Sequence, residues 1–117
     1  MVGSAALLAT TVGIAPEAEA QAACARPSMG AEDAILTAAE GFMLDSDSAD
    51  VFGYARLQRV EGDWARVVVV PRIPTDHAQL ILQRRAGAWK VVAGPGTAFM
   101  PEDAPGSPRA IFDACPA

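Results

Sequence analysis

The sequence predicts an α+β domain: an N-terminal helix packed on a four-stranded antiparallel meander, with a short C-terminal helix. Three observations carry this. Apolar residues recur at helical spacing between 30 and 44, strand-like runs fill 51 to 93, and the links between those runs are short. Short links leave no room for crossovers, so neighbouring strands should pair antiparallel.

The helix opens at Gly30-Ala31-Glu32-Asp33, where an acidic pair suits the positive end of the helix dipole. Ile35, Ala38, Ala39, Phe42 and Met43 then fall at i, i+3, i+4, i+7 and i+8, one apolar face. Gly41 weakens the last turn, and the polar run DSDSAD, residues 45–50, ends the helix near Leu44. VFGYARLQRV is the first strand, EGD at 61–63 the turn, and WARVVVVPRI the most strand-prone stretch of the chain. Alternation sends Ala65, Val67 and Val69 one way and Trp64, Arg66, Val68 and Val70 the other. Pro71 and Pro74 stop that strand. AQLILQRR is a third strand, and Ala86-Gly87 turns it into AWKVVA, the fourth. One face covered by the helix is the economical arrangement. In the tail, Ser107 can cap, Pro108 suits the first helical position, and Ile111, Phe112 and Cys115 share a face.

The 117 residues make room for one domain, and a hydrophobic content of 51 % is enough for a core. The first twenty residues read as an export address, residues 1–20 a signal peptide and 21–117 the single α+β domain. Val2 to Ala15 has the length of a signal h-region and is too short to span a bilayer. Pro16 breaks the run, and Ala18-Glu19-Ala20 fits the cleavage pattern, with the cut before Gln21. No Lys or Arg precedes the run, which means a start codon upstream or a weak signal. A buried N-terminal helix is the competing reading, but Gly3, Thr10, Thr11 and Gly13 make a poor one. The expected localisation is secreted or cell envelope, with no stable membrane span.

The formal charge is −5, from 9 basic and 14 acidic residues; cleavage would discard Glu17 and Glu19 and leave −3. Net negative charge gives non-specific nucleic-acid binding no electrostatic basis. Arg56, Arg59, Arg66, Arg72, Arg84 and Arg85 gather in the strands. Their plain reading is the solvated face of a sheet. The alternative is a partner surface, for which Arg56, Arg59, Arg66 and Arg84 are the candidates. The two cysteines, Cys24 and Cys115, stand at opposite ends of the mature chain. An even count in an exported chain suggests a bridge, and two buried thiols are the alternative.

The sequence carries few chemical motifs. Gly94-Pro95-Gly96-Thr97 follows a strand, but no lysine follows it and Pro95 removes a donor, so a structural turn replaces the phosphate cradle. Asp45, Asp47 and Asp50 lie close in DSDSAD, yet Ala49, Asp50 and Arg56 each fail the EF-hand pattern, leaving a solvated loop. His77 is the single histidine, and its neighbour Asp76 would point away from it on a strand. Ser28, Ser46, Ser48 and Ser107 all lack a nucleophile-elbow context. Glu40 and Asp50 are carboxylates with no telling spacing. No catalytic residue, metal site or cofactor is therefore assigned. Trp64 and Trp89 open strands and read as core or sheet-edge packing, as do Phe52 and Tyr54.

The run GAWKVVAGPGTAFMPEDAPGSPRAIFDAC, with GDWARVVVVP upstream, resembles the C-terminal half of small secreted proteins and lipoproteins common in actinobacteria. In these a G-x-W-x-V-V strand leads to a Gly-rich turn, a Pro-rich link and a final cysteine. The resemblance covers about half the chain, is structural, and implies no functional residue. The helix-then-meander order is also similar to cystatin-like and nuclear transport factor 2-like folds, by fold analogy. The function class expected is an exported non-catalytic binding or interaction module for an unknown protein or small ligand. The alternative is a small secreted enzyme or a lipophilic-ligand carrier using a cavity between helix and sheet. Polar groups around His77 would favour the enzyme and an apolar cavity under Ile35 and Phe42 the carrier. A filled core with an exposed arginine face would favour the interaction module.

Protein recovered from culture medium is expected to begin at Gln21 and to show no free thiol when unfolded without reductant. Closing a loop of about ninety residues should contribute roughly 4–5 kcal/mol, less any native strain. N-terminal sequencing and thiol titration read both properties; an intact Met1 or two titratable thiols would overturn them.

Overall fold

A computed structural model describes residues 27–113. The segment 1–20, Gln21, Cys24 and Cys115 lie outside the described residues. The helix, α1, spans Met29–Leu44. It starts one residue before the expected glycine because Ser28 is the N-cap: its Oγ accepts from the Ala31 N–H at 3.3 Å. Ser46 closes the other end, its hydroxyl donating to the Met43 carbonyl at 2.7 Å. Ile35, Ala39 and Met43 are buried, as the spacing predicts, and Ala38 is half-buried. Phe42 departs from the expectation. It is 38 % exposed, and Leu36 packs against the core on the other flank of the stripe.

Four strands follow: β1 (Phe52–Glu61), β2 (Trp64–Pro71), β3 (Ala78–Arg85) and β4 (Ala88–Gly96). They form one antiparallel sheet in the order β1-β2-β3-β4, the predicted meander. Gly62, at φ +61, makes the first hairpin turn. Ala86 and Gly87 make the last with φ 50 and 80, the pair of positive angles that a type I′ turn requires. Ala86 holds that conformation without glycine's freedom, at a cost of about 1–2 kcal/mol.

Helix α1 lies on one face and touches all four strands. Beneath it Ala55, Ala65, Val67, Val69, Leu80 and Leu82 complete the main core. The opposite face is also covered, which the sequence reading did not foresee. Trp64 and Ile81 on that face pack with Ala104 and Ile111 of the C-terminal segment, and Phe99 and Phe112 flank them. Trp64 to Val69 are consequently six successive buried residues.

The covering segment is not an α-helix. It runs through 3₁₀ turns at Pro101–Asp103 and Arg109–Phe112, the second standing where a short helix was expected. Ser107 does not cap that turn; its hydroxyl turns back to the Ala104 carbonyl at 2.7 Å. Pro108, rather than Ser107, stands before the first helical residue. Asp103 caps the first turn, accepting from the Met100 N–H at 2.8 Å.

Gly94-Pro95-Gly96 ends β4, with a cis Gly94-Pro95 bond. The β3–β4 register shifts here, pairing Gln79 with Gly96 and Ile81 with Ala93. Gly94 has φ +105, and a Cβ there would stand 2.5 Å from the Gln79 carbonyl oxygen. Two backbones meet too closely for any side chain, so this glycine serves sheet geometry. Gly94→Ala should cost about 2–3 kcal/mol, whereas Gly30→Ala, where a Cβ meets nothing, should change stability by less than about 1 kcal/mol. Urea denaturation of the two variants measures the contrast.

Candidate functional site

The four arginines proposed as one surface divide into three environments. Arg59 and Arg66 are cross-strand partners on the face opposite α1 and are only 7 % and 6 % exposed. They form no exposed surface, because the C-terminal segment covers this end of the sheet. Like charges opposite one another repel, and Glu61 offsets this. Its Oε2 accepts from Arg59 Nε at 3.1 Å and lies 3.0 Å from Nη2. Arg66 reaches the covering segment instead, its Nη2 donating to the Asp113 carbonyl at 2.7 Å. Its Nε is buried without an acceptor. Burial pushes the Arg66 pKa below the ordinary guanidinium value; Arg59 adds to the effect and Asp113 opposes it.

Arg84 is exposed but engaged. Its Nε and Nη2 both donate to Asp63 Oδ1, at 3.0 and 2.7 Å, and its guanidinium lies 5.8 Å from the Trp89 ring centroid. In the open, such a pair contributes about 0–1 kcal/mol, so it orients Arg84 more than it stabilises the fold. Arg56 is exposed on β1, with Tyr54 two residues away on the same face. Tyr54 departs from the packing role expected of it and is 54 % exposed. Ile73, 49 % exposed, lies just beyond Val70 and Pro71, the partners of Tyr54 and Phe52.

A small cleft opens at the other side of the sheet, under the C-terminal end of α1. Met43, Phe52, Val69, Pro71, Ala78 and Pro95 form its apolar wall, and Ser48, Thr75 and Asp76 add polar atoms. Its volume is about 160 Å³. Whole ligand sites usually occupy about 300–1,000 Å³, so this is room for one chemical group rather than a lipid. Ile35 and Phe42 do not roof a common cavity: Ile35 is fully buried in the main core and Phe42 faces outward. His77 is exposed and does not line the cleft, although Asp76 does.

The remaining candidates do local work. Ser28 caps α1, while Ser46 binds its last turn and accepts from the Ser48 N–H at 3.1 Å. Asp45, Asp47 and Asp50 are exposed, and Arg72 donates to the Asp50 carbonyl rather than to a carboxylate. Glu40 is exposed on the helix. Among the described residues, no group of three or more His, Cys, Asp or Glu side chains converges to hold a metal. Among them also, no helix is long and apolar enough to cross a membrane. The cleft escaped the sequence reading because its walls come from α1, the following loop, the β2–β3 link and the ends of all four strands. No spacing announces such a meeting.

No family model, curated protein or solved structure matches the chain.

Arg66 tests what the buried cation does. Arg66→Met keeps the bulk and removes an unpartnered donor, so stability should stay within about 1 kcal/mol of wild type. Arg66→Ala should cost about 2–3 kcal/mol through the space left behind. Both should release the tail, speeding amide exchange at Ile111 and Asp113 by about tenfold. Urea denaturation with hydrogen exchange reads these effects; unchanged exchange would show that Arg66 does not hold the segment.

Proposed function

We propose that the protein is an exported, non-catalytic interaction module of the secreted or cell-envelope compartment, binding a protein partner through β1. The observation that carries this is the exposed pair Tyr54 and Arg56 on an edge strand. Tyrosine and arginine are over-represented among residues that dominate binding energy, since each offers large contact area with directional polar atoms. Arg56 has charge to offer a carboxylate. Arg84, by contrast, is committed to Asp63, and Arg59 to Glu61. Ile73 would extend the contact with apolar area. The cleft beside the main core is too small for a lipid, which favours this reading over a lipophilic-ligand carrier.

The export half rests on the apolar run Val2 to Ala15, the Ala18-Glu19-Ala20 pattern and the two cysteines. The resemblance to small secreted actinobacterial proteins points the same way. In such a compartment a Cys24–Cys115 bridge would anchor both chain ends to the domain.

Cross-linking on cells that produce the protein, followed by mass spectrometry, should recover a partner whose contact with β1 carries an acidic group. Arg56→Glu and Tyr54→Ala should each weaken that complex by about 5- to 30-fold without lowering the melting temperature by more than a few degrees. Equal binding by both variants would move the surface elsewhere.

A further inference from the structure

We propose that the cleft under the end of α1 is a binding subsite for a small aromatic or branched aliphatic amine. The apolar body would sit against Met43, Phe52 and Val69, and the ammonium would pair with Asp76. This goes beyond the partner surface on β1 and rests on different residues, because Tyr54 and Arg56 face the opposite side of the sheet from the core under α1.

Size sets the first limit. An apolar cavity of about 150 Å³ accepts a benzene-sized molecule, and this cleft holds about 160 Å³. Chemistry sets the second. Its wall is mostly side-chain hydrocarbon, so a polar ligand body would lose hydration there without recovering hydrogen bonds. Asp76 is the one titratable side chain lining it, and no cation lines it. An anionic ligand would therefore meet repulsion and an ammonium attraction. Ser48 and Thr75 offer hydroxyl groups to a second N–H.

The wall is also braced. Arg72 N–H donates to the Val51 carbonyl at 2.8 Å, and its guanidinium donates to the Asp50 carbonyl. The loop carrying Ser48 and Val51 is thus tied to the end of β2, beside Pro71. A braced wall lowers the ordering cost of binding.

The test uses benzylammonium, with benzyl alcohol and benzoate as controls sharing its ring, titrated into ¹⁵N-labelled protein and followed by NMR. Benzylammonium should give saturable shifts at Met43, Phe52, Val69 and Ala78 with a Kd on the order of 1 mM. It should bind about two- to fivefold more tightly than the alcohol at low salt, with benzoate weakest. Asp76→Asn, at an exposed position, should abolish the advantage of the amine and leave the ring's own affinity. Ala78→Leu should block all three probes by filling the space. Absence of saturable shifts at those residues would overturn the proposal, as would equal affinity for the three probes. So would an amine preference that survives Asp76→Asn, and that variant decides the matter should Ala78→Leu fail to fold.

Discussion

A strand with six consecutive buried residues has to be covered on both faces, and the rest of this fold is arranged around that demand. Trp64 to Val69 of β2 are that strand. Helix α1 answers for Ala65, Val67 and Val69, and the alternate residues need a second cover. With the four strands arranged as one open sheet, the segment after β4 supplies it. Three prolines among its described residues, Pro101, Pro105 and Pro108, prevent it from answering as a helix. It therefore crosses the sheet as a strap of 3₁₀ turns, pressing Ala104 and Ile111 onto Trp64 and Ile81. Burying Ile111 contributes about 1.5–3 kcal/mol, and the Ala104 methyl adds about 0.8 kcal/mol, reason for an irregular segment to stay docked.

Arg66 gives that docking a direction. Apolar contacts tolerate sliding, whereas the bond from Nη2 to the Asp113 carbonyl fixes one backbone atom against one point of the sheet. The arrangement is costly. Arg66 faces Arg59 across the strands, and its Nε lacks an acceptor, a loss of about 1–3 kcal/mol. A methionine in that place would avoid the loss and surrender the register of the strap. Glu61 on the neighbouring strand keeps the paired guanidiniums tolerable by holding Arg59.

The same residues show how far the sequence could be read. The hairpins were legible because Glu61-Gly62-Asp63 and Ala86-Gly87 interrupt strand-like runs, and the helix was legible to within a residue of its start. The double burial of β2 was not. An arginine among valines looks like the solvent side of an alternating strand, and nothing local says that a segment more than forty positions away will cover it. Phe42 misled for a related reason: helical spacing admits it and Leu36 equally, and only the position of the sheet decides between them. Ser107 had the chemistry of a cap but a nearer carbonyl at Ala104 won the hydroxyl. At Gly94-Pro95-Gly96 the missing lysine and the donor lost at Pro95 argued for a structural turn. Its actual task, admitting the Gln79 carbonyl against the backbone, depends on a register that only the assembled sheet possesses.

The two surfaces proposed for binding differ in how they are built, and the difference follows from the doubly covered sheet. Where the strap lies, the face opposite α1 is sealed and its arginines are withdrawn from solvent. Tyr54 and Arg56 stay open on the edge strand, at the end of β1 away from the Arg59–Arg66 pair. The cleft sits near that same end but on the helix side, where α1 stops and a loop must bridge to β1. Arg72 links the two regions. Its donors hold the carbonyls of Asp50 and Val51, and Pro71 just before it pairs with Phe52, a wall of the cleft two residues from Tyr54. A ligand wedged against Phe52 would therefore press on the strand that carries the partner surface. Coupling between the sites would require the ligand to favour one arrangement of β1 over another. The register is irregular between Phe52 and Tyr54, so the ladder between the cleft wall and the partner surface is interrupted at Gly53.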